Sequence, residues 1–173
     1  MKSMMNIGLV GAMLGSVMLG SALMAGCSVS VVRDGDAAGD DVVIRDQARG
    51  VTIRKGDGSG IANWADVVAD MASADVVLFG EMHGHPLGLA VAQELWEDIL
   101  VHSPQAVLTM EFYERDQQIH VDDYLSGVTT REQFDKACRK NAKNNAPGHI
   151  RMIDAAKEAG RPVLAGNAPR RYV

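Results

Sequence analysis

Residues 75–86 read Asp75-Val76-Val77-Leu78-Phe79-Gly80-Glu81-Met82-His83-Gly84-His85-Pro86. Four successive apolar residues without alternation are the pattern of a strand covered on both faces. Gly80 ends the run, and Pro86 stands where a helix favours proline, in its first turn. From Pro86 to about His102, Leu87, Val91, Leu95 and Ile99 recur at helical spacing and predict one buried stripe. Ala106-Val107-Leu108-Thr109-Met110 is a second buried strand. Strand, helix and strand at this spacing predict a βαβ unit with a right-handed crossover. Downstream, polar helical stretches occupy 115–126 and 130–143, and Pro147-Gly148 opens a helix that Gly160 closes. Pro162-Val163-Leu164-Ala165-Gly166 is a third short strand. Upstream, Asn63 caps a helix carrying Trp64, Val67, Val68 and Met71 on one face. Val42-Val43-Ile44-Arg45 and Val51-Thr52-Ile53-Arg54 read as a peripheral hairpin, followed by a turn at Gly56-Asp57-Gly58-Ser59-Gly60. The expected fold is α/β, a mostly parallel sheet with flanking helices and an N-terminal β-hairpin. Three strands are few for an open sheet, so the domain is expected to be incomplete at the C-terminus.

The chain begins Met1-Lys2, runs apolar from Ile7 to Ala25 and reaches Leu23-Met24-Ala25-Gly26-Cys27. A basic start, an apolar stretch and small residues before a break are the parts of a secretory signal. Ala-Gly before Cys resembles a lipobox, with Met24 where Leu is usual. The expected organisation is a lipoprotein signal peptide over 1–26, a lipidated Cys27 with a flexible linker over 27–41, and an α/β domain over 42–173. Asp34, Asp36, Asp40 and Asp41 among small residues mark the linker as a tether. An uncleaved membrane helix is the competing reading, because the stretch approaches the ~20 residues that span a bilayer. Ser28, rather than Asp, after the Cys points to the outer membrane, facing the periplasm.

A chain of 173 residues accommodates one core. Its net charge of -5 gives no electrostatic reason to expect nucleic-acid binding, which would need a basic face. With Cys27 acylated, Cys138 has no disulfide partner, and a single Cys without an orienting base does not signal a nucleophile. His102, His120 and His149 sit in polar surroundings and are expected to face solvent. The ten methionines fall mostly in the signal or on core stripes and form no copper-binding box.

In open α/β sheets, ligands bind beyond the carboxyl ends of the strands. The first predicted strand leads into Glu81, His83 and His85, the second into Glu111 and then Glu114-Arg115-Asp116, the third into Asn167-Ala168-Pro169-Arg170-Arg171-Tyr172. Adjacent parallel strands lie about 4.8 Å apart, so these tips are expected to share one cleft. Glu81 and His83 have the chemistry of an acid/base pair or of metal ligands, since neutral imidazole donates to zinc or iron and a carboxylate orients it. Alternatively, Glu81 accepts backbone hydrogen bonds and His85 caps the following helix. His83 and His85 would face one ligand if the loop is extended. A carboxylate at Glu111 calls for a partner, either a ligand or an ion pair with Arg115 or Arg170.

Four runs occur in order: Asp75 to His83, Met110-Glu111-Phe112-Tyr113-Glu114-Arg115-Asp116-Gln117-Gln118, Asp123-Tyr124-Leu125-Ser126-Gly127, and Asn167-Ala168-Pro169-Arg170-Arg171. Together they resemble the ChaN-like haem-binding lipoproteins of the Tiki and erythromycin-esterase-like superfamily, over about residues 60 to 173. The resemblance implies an iron-uptake lipoprotein that binds haem, as a homodimer around stacked haems, with a Tyr iron ligand and His83 in support. Tyrosinate favours ferric haem, which suits capture and transfer. Tyr172 is the first candidate ligand, beside Arg170 and Arg171 as partners of the propionates. Tyr113 and Tyr124 are the alternatives, and each of the three also reads as a structural tyrosine. His85, Arg115 and Asn167 would support the site. Family members continue beyond the point matching Val173, with more strands and a further His motif. The resemblance therefore also implies truncation, low stability or a non-functional remnant. Esterase-like and protease-like relatives share the Glu-x-His element, so a metal-dependent hydrolase is the second implied function. In it Glu81, His83 and Glu111 hold a divalent metal or activate water. A binding protein, more than an enzyme, is the reading these residues support, with haem and the membrane as its partners.

Overall fold

The structure, a computed structural model, describes residues 5–8, 27–29, 47–140 and 147–173. The predicted tether from 30 to 41, the strand at 42–45, residues 9–26 of the signal and residues 141–143 lie outside the described residues, while the helix predicted over 130–143 already ends at Ala137. The chain divides into two units, Met1–Ile99 and Leu100–Val173, and each has its own sheet.

The first unit holds five strands: β1 (Met5–Gly8), β2 (Cys27–Val29), β3 (Ile53–Lys55), β4 (Ile61–Ala62) and β5 (Val77–Phe79), in the order β4-β3-β2-β1-β5. β1 pairs in parallel with both β2 and β5, whereas β2-β3 and β3-β4 are antiparallel. The hairpin differs from expectation. It joins Ile53–Lys55 to Ile61–Ala62 around the glycine-rich turn, and residues 47–50 form a helical turn instead of a connection between strands. The five-residue loop Gly56-Asp57-Gly58-Ser59-Gly60 sits between two β-capable segments. Lys55 N donates to Gly60 O at 2.9 Å to close it.

Helix α1 (Trp64–Ser73) starts where the cap predicts. The Asn63 side chain accepts from Asp66 N, and Val67 and Val68 are buried. Helix α2 (Pro86–His102) also matches, but its buried face is wider than a stripe and includes Gln93, Glu94 and Trp96. Glu94 is held by Arg49 Nη2 at 2.9 Å, and the same guanidinium bonds Asp98, which also accepts from Trp64 Nε1 at 2.7 Å. This cluster fastens residues 47–50 and α1 to α2. No local pattern announces it, because its bonded partners lie 34 to 49 positions apart.

The second unit is built on a parallel pair, β6 (Leu108–Glu114) and β7 (Val163–Asn167). Between them run a 3-10 turn (Arg115–Gln117) and helices α3 (Gln118–Leu125), α4 (Arg131–Ala137) and α5 (Pro147–Glu158). Thr130 and Gln133 form a reciprocal capping box at the start of α4. Between Met110↔Ala165 and Glu114↔Asn167, four steps on β6 face two on β7, so β6 bulges. The bulge breaks the two-residue alternation and lets Met110 and Tyr113 both point inward. The strands also approach closely: a Cβ on Gly166 would lie 2.8 Å from Thr109 Cγ2.

Two sequence expectations are corrected here. β5 and β6 do not share a sheet; β5 takes Met5–Gly8 as its partner and β6 takes β7. An apolar run reports burial but not which neighbour completes its ladder. β5 is also not covered on both faces, since Leu78 is 52% exposed while Val77 and Phe79 are partly buried.

Candidate functional site

In the first unit the chain leaves β5 through Gly80 into Glu81-Met82-His83. Glu81 Oε1 meets His83 Nδ1 at 3.0 Å, and the imidazole side chain is 83% exposed. A carboxylate on Nδ1 fixes the ring and raises the basicity of the other nitrogen, so a ligand role falls to Nε2. The loop does not stay extended. Gly84 adopts φ 74, a conformation glycine takes without strain, and His85 N bonds back to Met82 O at 3.0 Å. His85 is thereby turned away from a shared site with His83: its Nδ1 accepts from Gly88 N at 3.1 Å and caps α2.

In the second unit the run Glu114 to Gln118 clasps β7 and the segment after it. Pro162 O accepts from Leu108 N at 3.2 Å, so the alternate peptide groups at Val163 and Ala165 face away from β6. Gln118 occupies that outer edge: Nε2 donates to Val163 O at 2.9 Å, and Oε1 accepts from Ala165 N at 2.8 Å. Arg115 reaches Ala165 O at 3.5 Å and Gln118 Oε1 at 3.2 Å. Two side chains thus do for the strand edge what another strand would do. Gln117 ties the turn to α4 through Cys138 O at 3.0 Å.

Glu114 accepts from Arg170 N at 2.9 Å and from the Arg170 guanidinium at 3.2 Å, while Asp116 pairs with Arg171. Arg171 lies over the Tyr172 ring, 4.6 Å from its centroid, in the 3-10 turn Arg170–Tyr172. Asn167 ends β7 opposite Glu114 and is exposed. Glu111 is corrected: it lies within β6 and faces solvent, so its carboxylate needs no partner. The ion pairs expected of it with Arg115 or Arg170 belong instead, for Arg170, to Glu114. The strand continues through Phe112 and Tyr113, which moves its end three residues further, to Glu114.

The three tyrosines separate cleanly. Tyr172 is 73% exposed, Tyr113 is wholly buried, and Tyr124 is buried with its hydroxyl donating to Asp154 at 2.6 Å. Burial holds the Tyr113 phenol far above its ordinary range. Burial first, then Asp154, pushes Tyr124 up to about 12. Both phenols are enclosed by the fold. Because the folded value of Tyr124 lies above its ordinary value of about 10, its contribution to stability is complete below pH ~10 and is lost as pH rises through about 12. Urea midpoints are therefore expected to fall between pH 10 and 12 and to fall less in Tyr124→Phe. An unchanged midpoint slope in that variant would refute the assignment.

Cys138 is buried and its thiol is pushed up to about 12 by burial, as befits a core residue rather than a nucleophile. His149, expected at the surface, is buried and stacks on Phe112 at 4.2 Å. The helix it occupies turns it inward despite its polar neighbours. His102 is exposed and His120 is intermediate. Among the described residues no three His, Cys, Asp or Glu side chains gather as a metal site.

The fold and these groups define an α/β protein with charged and aromatic side chains at the carboxyl ends of parallel strands. Residues 67–173 match the family described as haem-binding uptake, Tiki superfamily, ChaN, and the chain belongs to that family. No curated protein and no solved structure matches it.

Proposed function

We propose that this chain is a lipid-anchored haem-binding protein of iron uptake. Family membership supports the haem. The observation that carries the site is the accessible Tyr172, the one tyrosine not enclosed in the core, with the Arg171 guanidinium over its ring. These residues fit haem chemically: a phenolate donor suits ferric iron, and arginine forks match propionate carboxylates. Tyr172 would hold the iron, Arg170 and Arg171 the propionates. His83, oriented by Glu81, is the second candidate ligand, and association of two copies is part of the same proposal. Ferric haem titrated into the purified full chain is expected to give a saturable Soret shift that Tyr172→Phe abolishes. No shift, together with stoichiometric zinc or manganese in the native protein, would replace this reading with a metal-dependent hydrolase acting through Glu81 and His83.

The anchor is proposed from Leu23-Met24-Ala25-Gly26-Cys27, with the protein on the outer membrane facing the periplasm. Among the described residues no helix is long and apolar enough to cross a membrane; residues 9–26 are outside them. Cleavage before Cys27 would remove β1 and leave the β5 edge it pairs with for another use. Intact-mass spectrometry of the protein from membranes is expected to show a chain starting at Cys27 with an added diacylglycerol. An unmodified chain starting at Met1 would overturn the anchor.

A further inference from the structure

The guanidinium groups proposed to receive propionates are already in contact with carboxylates of the same chain. Glu114 accepts from both the Arg170 backbone N, at 2.9 Å, and the Arg170 side chain, at 3.2 Å. It therefore fixes the path of the chain as well as the charge. Asp116 differs, because it holds the Arg171 guanidinium and not the backbone beside it. That pair is solvent-accessible on both sides, with the Asp116 side chain 38% and the Arg171 side chain 56% exposed. Such pairs are weak and readily exchanged. Arg171 is also the arginine that lies over the Tyr172 ring.

Resting on the haem-binding reading above, we infer that Asp116 is an internal stand-in for a ligand carboxylate, which an incoming propionate must displace from Arg171. A second carboxylate drawn to the same guanidinium while Asp116 remains would place two like charges side by side, which disfavours the ionised form of both. Asp116 thus competes with the ligand for Arg171 and lowers affinity for carboxylate-bearing porphyrins. Porphyrins lacking free carboxylates gain nothing from the exchange. The alternative, in which Asp116 preorganises Arg171 for the ligand, predicts the opposite sign.

Ferric protoporphyrin IX and its dimethyl ester are titrated into the full chain and into Asp116→Asn, following the Soret band. Asp116→Asn is expected to bind the free acid about two- to five-fold more tightly, the range set by an exposed ion pair. The ester is expected to bind both proteins equally. In an Arg171→Gln background, Asp116→Asn is expected to change nothing, since the contact it relieves is gone. Weaker or unchanged binding of the free acid by Asp116→Asn, an equal gain for the ester, or a gain that persists without Arg171 would each overturn the inference. Absence of any saturable shift in the native chain would instead remove the haem reading, and this inference with it.

Discussion

Replacing Tyr172 by Phe is expected to weaken ferric-haem binding by more than about 100-fold, because losing even an outer-shell partner of a metal ligand costs roughly 10–100-fold. The substitution removes one oxygen and leaves the ring under Arg171 in place. Tyr172 is 73% exposed, so stability should stay within about 0.5 kcal/mol of the native chain, and lost binding will not reflect lost folding. Neither other phenol can replace it. Tyr113 is enclosed, and Tyr124 spends its hydroxyl on Asp154. The absorption spectrum of the complex should lose its phenolate-to-iron character as well. Native affinity and an unchanged spectrum in Tyr172→Phe would move iron ligation to His83, which Glu81 already orients.

Phe134→Ala is expected to cost about 3–5 kcal/mol, the range for truncating a fully buried aromatic. Phe134 is wholly buried, stacks on Tyr124 with ring centroids 4.7 Å apart, and meets Tyr113 at 5.5 Å. It joins α4 to the inward-facing side of the β6 bulge, so the cavity would open where helix and strand meet. Against a typical total of about 5–15 kcal/mol, that loss removes a large share of stability. Urea denaturation followed by far-UV circular dichroism measures it. A free-energy change under about 1 kcal/mol would show that the aromatic cluster does not hold this unit together.

Much of the local structure was legible in the sequence because it depends on neighbours in the chain. The Asn63 cap and the Pro86 start each depend on residues close by in the chain. The site was legible in part. Glu81 with His83, and Arg170 with Arg171 and Tyr172, follow strand ends, where polar groups in an apolar context stand out. Glu111 misled because it is the first charge in the run, and aromatic Phe112 and Tyr113 carry the strand beyond it. Choosing among the tyrosines required burial, which no residue shows in its own sequence context.

The sequence by itself determined the class of fold, the helices that start at Asn63 and Pro86, the family and the residue types offered at the strand ends. Those follow from periodicity, backbone preference and ordered motifs. Only the tertiary structure decided that β5 pairs with Met5–Gly8, that β6 bulges against β7, and that Gln118 closes the outer edge of β7. It also decided that Asp116 holds Arg171 and that Tyr172 alone of the tyrosines faces solvent. These contacts join residues distant in the chain, where sheet partners and ion pairs are selected by packing in space, and local sequence carries no record of that choice.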